Sequence, residues 1–232
     1  MKNGDVVKVG WSGGKDSTCA VMQHIAKGDK VKAVCYVPMF TETIPLISKE
    51  HYEFILKTAD QFRGFGAEVY IVNGMTYCDY VMHRAKKGKF KGKIFGFPYI
   101  CSGQCGFKRD SKLKAILSCD VGDYDYEEIA IAADEKKRHK QLNEFKRSIL
   151  CELGITEAEA RTYCEQYGVL SPHYGMSTRD GCVLCPNAKD AEIERWLCDY
   201  PEARPILLEL QAFVKKERPD RDPPRRKYRW FI

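Results

Sequence analysis

The six residues Ser12, Gly13, Gly14, Lys15, Asp16 and Ser17 constrain this chain most, because of what flanks them. Val6–Trp11 is a short β-branched run and predicts a buried strand. Residues 18–26 predict a helix that ends at Gly28. A strand, a glycine turn and a helix start together bring backbone N–H groups onto an anion. The glycines permit close backbone approach, and the first helical turn offers unpaired donors at the positive end of the dipole. Lys15 adds a cation, and Ser12 and Ser17 add hydroxyls. A turn with no ligand would not call for this composition.

The 232 residues suit one large domain, or one with a small appendage. The apolar content of 44% is enough for a packed core. A net charge of +6 permits a polyanionic partner without requiring one; the basic residues cluster at 86–93 and 218–229. No apolar run is long enough to span a bilayer. The N-terminal apolar run is short and broken by Lys8, so no signal peptide is expected and the chain is placed in the cytoplasm. In that compartment 11 cysteines argue against a disulfide framework.

Residues 31–37 and 67–72 predict a second and a third strand, with a helix from Ser48 to about Phe65 between them. Residues 129–133 predict a fourth strand, after an acidic, turn-like stretch at 120–128. Strands alternating with helices at this spacing argue for βαβ units and a parallel sheet, with ligands beyond the carboxyl ends of the strands. A helix is expected over 76–86, running into the lysine-rich 86–93, which reads equally as a phosphate-contacting segment or a solvated flexible loop. Thr156 and Glu159 form a capping-box pattern, and residues 188–198 and 205–216 predict two closing helices whose apolar stripe is core. Residues 218–232 read as a loosely ordered basic tail with aromatic anchors at Tyr228, Trp230 and Phe231.

Four cysteines stand out by pairing: Cys101 with Cys105, and Cys182 with Cys185. A C-x-x-C turn suits tetrahedral sulfur ligation, and Pro186 follows directly, as in some iron–sulfur segments. Zinc would satisfy the same thiolates, and unligated buried thiols are the remaining reading.

The string SGGKDS is not a Walker A loop. It resembles the PP-loop of the ATP pyrophosphatase superfamily, which binds the β- and γ-phosphates of ATP, cuts the α–β bond and adenylates a substrate. The stretch Cys105-Gly-Phe-Lys108-Arg109-Asp-Ser-Lys112-Leu113 is similar to the cluster-binding string of sulfonucleotide reductases, and Cys182 with Cys185 matches their second pair. Gln104 stands where those proteins carry a first cysteine, so Cys101 would supply that ligand. The stretch from Thr156 to Glu202 looks like the closing part of phosphoadenosine phosphosulfate (PAPS) reductase-like proteins of phage and bacterial accessory regions.

The resemblance implies a doubly wound, mostly parallel α/β fold of the adenine nucleotide α-hydrolase type. It implies a core over 1–150, a helical region over 151–217 carrying the second cysteine pair, and a tail over 218–232. Ser12, Gly13, Gly14, Lys15, Asp16 and Ser17 would bind ATP or a related adenine nucleotide, with Asp16 carrying Mg²⁺. Lys15, Asp16, Lys108 and Arg109 would be the catalytic set, with Arg138, Arg179, His139 and His173 as further candidates. Cys101, Cys105, Cys182 and Cys185 would hold a 4Fe–4S cluster, or zinc. The implied activity is adenylation of a substrate, with sulfur transfer as one use of the adenylate and nucleic acid or a small molecule as acceptor. Sulfonucleotide reduction is the alternative, but no cysteine follows Cys198 and the reductases' C-terminal nucleophile string is missing. A non-catalytic nucleotide- or nucleic-acid-binding subunit is the third reading.

Overall fold

Val6–Trp11 forms β1, the middle strand of a five-stranded, all-parallel sheet in the computed structural model. The structure describes residues 4–101, 104–175, 181–185 and 188–221, without the side chains of Ile100, Cys101, Gln104 and Arg221. The other strands are β2 (Lys30–Tyr36), β3 (Glu68–Val72), β4 (Tyr126–Glu128) and β5 (Lys146–Arg147). Their order is β3-β2-β1-β4-β5. The order reverses at β1, so the chain leaving β1 lies at the topological switch point of an α/β, Rossmann-like sheet.

Helix α1 (Lys15–Lys27) packs on β1 and β2 and ends at Gly28, whose φ of 87° is the left-handed conformation that stops helices. Helix α2 (Lys49–Gly64) lays Phe62 edge-on against Trp11 of β1, with ring centroids 5.0 Å apart. Trp11 is itself fixed, because its indole N–H donates to Thr18 Oγ1 on α1.

The structure corrects the fourth strand. Residues 129–133 are not in the sheet; the strand is Tyr126–Glu128, inside the stretch read as turn-like. Glu128 disguised it. That carboxylate is buried because it accepts from the Ile149 N–H and faces His24 Nε2 at 3.1 Å. Ile131 and Ala132 are also fully buried, but side chains satisfy their backbone: Ser148 bridges the Ile131 N–H and C=O, and Glu135 accepts from the Ala132 N–H. The two-residue strand β5 carries no apolar signal and was not anticipated.

Two compact units divide the chain. The first comprises Met1–Tyr36, Glu50–Val72 and Ile116–Asp180, and so holds the sheet. It includes α1, most of α2, α5 (Ile149–Glu152) and α6 (Glu157–Gln166). The second comprises Val37–Lys49, Asn73–Ala115 and Gly181–Ile232. It holds α3 (Tyr77–Met82), a π-helix (Lys108–Leu113), and the closing helices α7 (Asp190–Asp199) and α8 (Ala203–Glu217), while α4 (Lys114–Ser118) runs from its Ala115 into the first unit at Ile116. Its core gathers Phe40, Tyr77, Phe97, Phe107, Trp196 and Leu207. Of the expected stripe, Ile193, Trp196, Leu197, Leu207 and Leu210 are buried, Ile206 is half-buried and Phe213 stays exposed. Trp196 donates its indole N–H to Pro45 O at 2.8 Å.

Helix α3 is shorter than expected. Thr76 caps it by accepting from the Asp79 N–H, but His83 turns extended and begins a hairpin. That hairpin contains the lysine-rich segment: Arg84 bridges Ile94, and the Ala85 and Gly92 N–H groups donate to Lys93 O and Ala85 O. The tail beyond residue 221, with its aromatic anchors, lies outside the described residues.

Candidate functional site

Residues 12–17 leave β1 and enter α1 directly, within the first unit. Gly14 is the N-cap of α1 and has no side chain to cap the first turn, so the early N–H groups face the loop. The loop holds its own shape. The Ser12 N–H donates to Ser17 Oγ at 3.2 Å, the Gly14 N–H to Ser12 Oγ at 3.4 Å, and the Ser17 hydroxyl to Gly14 O at 3.1 Å. Both serines thus build the turn as well as offering oxygens.

Gly13 is required twice over. Its φ is 76°, and a Cβ there would sit 2.9 Å from His51 Cε1 and from Ile55 Cγ1. The loop therefore lies flat on α2. His51 is buried beneath it, with Nδ1 2.7 Å from Ser171 Oγ and a hydrogen bond to the Ser12 backbone. Burial, together with His173 nearby, pulls the His51 pKa down to about 4, so the ring is neutral at pH 7. Ser171 Oγ accepts from the His173 N–H.

The Lys15 ammonium stands 2.9 Å from both Asp16 carboxylate oxygens and 2.9 Å from Glu157 Oε2. Burial works to lower its pKa, but the bonds to Asp16 and Glu157 outweigh it and raise it. For Asp16 burial dominates and raises the pKa, although Lys15 opposes it. Glu157 opens α6, where its N–H donates to Asp134 Oδ1; Thr156 and Glu159 complete the expected capping box. The Lys15 N–H is taken by the Tyr174 hydroxyl at 3.1 Å, and the Cys164 thiol donates to Lys15 O. An anion arriving here meets a lysine held by carboxylates on each side, one of them, Glu157, half exposed.

Asp134, after the misread segment, serves the site through Glu157. Arg138 pairs with Glu135, and His139 lies 3.4 Å from the Cys151 sulfur. His173 is buried against His51, where it supports the loop. Arg179 lies outside the described residues. Lys108 and Arg109 fall in the second unit; Arg109 is bound to Asp110, with Nη2 2.6 Å from Oδ2, and Lys108 is exposed.

Cys105, Cys182 and Cys185 are half-buried, also in the second unit. Cys105 and Cys182 pack against the same apolar core, and the Cys185 N–H donates to Cys182 O. The Cys101 side chain lies outside the described residues. Among the described residues no group of three or more His, Cys, Asp or Glu is placed to hold a metal ion, so they do not show the metal site.

His51, Ser171, Tyr174 and Glu157 were missed by sequence reasoning. Their role depends on contacts across 120 to 159 positions, which leave no local signal except the capping box beside Glu157.

No protein-family profile matches the chain, and no curated protein matches it. One similar solved structure is a 4-thiouridine synthetase–RNA complex with bound ATP, with TM-score 0.41 and 16% identity over 89% of this chain. The chain spans about half (53%) of the length of that structure.

Proposed function

We propose that the first unit binds the phosphates of ATP, or of a close adenine nucleotide, at residues 12–17, and that the protein adenylates an acceptor. One observation carries this reading: a glycine loop at the switch point of a parallel sheet, feeding a helix with no side-chain cap, beside a lysine whose ammonium is already ordered. Phosphate oxygens would take the loop N–H groups and the Lys15 ammonium, and Glu157 would give Lys15 up. Asp16, left without its cation, is a hard oxygen donor that would hold Mg²⁺, and the ion would supply neutralisation of phosphate charge. His51 keeps the loop flat, and the fixed donors stabilise the charge that builds on departing pyrophosphate. In the step itself, an acceptor lone pair forms a bond to the α-phosphorus, the bond to the β-bridging oxygen breaks, and pyrophosphate leaves.

Lys108 and Arg109 are proposed to neutralise acceptor or α-phosphate charge, on the strength of the sequence resemblance. Sulfur transfer is the proposed use of the adenylate, with a sulfur nucleophile displacing AMP, and a cytoplasmic setting fits it. The four-cysteine metal site is likewise proposed from its sequence pattern, and no step runs through it. A non-catalytic nucleotide-binding role is favoured by one feature, the engagement of Lys15 by two carboxylates. Pyrophosphate release from ATP in the presence of candidate acceptors, abolished by Lys15→Ala, supports catalysis. ATP binding with no release under any acceptor leaves the binding role. Sulfite production from PAPS with a thiol reductant would overturn both.

A further inference from the structure

The two units differ in charge. The second carries 22 of the 38 basic residues and 12 of the 32 acidic ones, while the first is net acidic. Between Asp79 and Asp110 the chain has eight lysines and arginines and no carboxylate. Five of these, Lys86, Lys87, Lys89, Lys91 and Lys93, are exposed on the hairpin that follows α3. Among the described residues none of the five pairs with a carboxylate.

This hairpin is closed. Beyond the pairs at its base, the Lys91 and Lys93 N–H groups donate to Gly88 O and Phe90 O, and Gly88 and Gly92 take φ of 78° and 81°. Two arginines pin it: Arg84 donates to Gly92 O and pairs with Glu217 of α8, and the buried Arg218 donates to Ile94 O. At its tip Phe90 is 41% exposed, with the Arg218 guanidinium 4.6 Å from its ring centroid. A preformed turn presents its charges without first losing chain entropy.

From this geometry we infer that residues 84–94 form a docking element for single-stranded nucleic acid. Lysines spaced around a narrow turn match successive phosphates, and the remaining Phe90 surface offers a platform for one unstacked base. A base inside a duplex cannot stack there, which favours a single strand. A lipid surface fits less well, because one aromatic ring supplies no apolar face to insert. The inference does not depend on the nucleotide reading of residues 12–17.

Fluorescence anisotropy with a labelled 12-nucleotide single-stranded RNA of mixed sequence tests it, with ATP calorimetry run on the same proteins. The triple variant Lys87→Ala, Lys89→Ala, Lys91→Ala should bind at least tenfold more weakly, and its slope of log affinity against log salt should be shallower by about 2. Phe90→Ala should lose roughly 5- to 100-fold with the slope unchanged, because stacking carries no counterions. Phe90→Tyr should retain binding, which separates stacking from damage to the fold. ATP affinity should be unchanged in all of them. Unaltered RNA affinity in the triple variant, or binding to phosphatidylserine vesicles but not to RNA, overturns the inference and leaves the nucleotide reading standing.

Discussion

The Glu157 carboxylate holds the Lys15 ammonium at 2.9 Å across 142 residues of chain. The pair joins the glycine loop to the start of α6, and it sets what an incoming phosphate must displace. Its partly exposed carboxylate places it among pairs with about 0.2–1 kcal/mol of coupling. Glu157→Gln should therefore tighten ATP binding by up to about fivefold, as read by calorimetry. Weaker binding in that variant would show that Glu157 serves the ligand directly.

Gly13→Ala should cripple the loop. The left-handed φ costs a side chain about 1–2 kcal/mol, and the new methyl would press on His51 and Ile55. ATP affinity should fall more than tenfold, with a lowered melting temperature. Gly64, where an added Cβ meets nothing within 4 Å, is the control: Gly64→Ala should leave ATP affinity intact.

His51 gives the fold an acid sensitivity. Its pKa is about 4 folded against an ordinary 6.5, so between these values the unfolded chain binds more protons. Stability is complete above pH 6.5 and is lost as pH falls toward 4, by about 3 kcal/mol from this group. Thermal melts between pH 7 and 4 should show the loss. In His51→Gln the pH dependence over that window should flatten; an unchanged profile would mean that His51 is not the titrating group.

The cysteine proposal is checked by metal and acid-labile sulfide analysis of anaerobically purified protein. Stoichiometric iron with sulfide is expected, with zinc as the alternative, and Cys182→Ser should lower the content. Protein with no stoichiometric metal would refute it.

The loop and its flanks were legible because they are local: a β-branched strand, two glycines and a helix ending at Gly28 leave their signature within 23 residues, 6–28. The parallel sheet followed from the same periodicity. Tyr126–Glu128 was hidden because burial of Glu128 rests on His24 and the Ile149 N–H, partners remote in sequence. Ile131 misled because a buried loop with its backbone bonded to Ser148 has the same apolar signature as a strand. His51 falls within the helix expected from Ser48 to about Phe65, and only the fold places it under Gly13.

The central claim, that residues 12–17 bind the phosphates of an adenine nucleotide, is tested most directly by titrating ATP into the intact protein and into Lys15→Ala by calorimetry. Loss of a charge-assisted contact of about 1.5–3 kcal/mol predicts an affinity roughly 10- to 150-fold weaker in the variant. Equal affinities in the two proteins, or no heat of binding in either, would contradict the account.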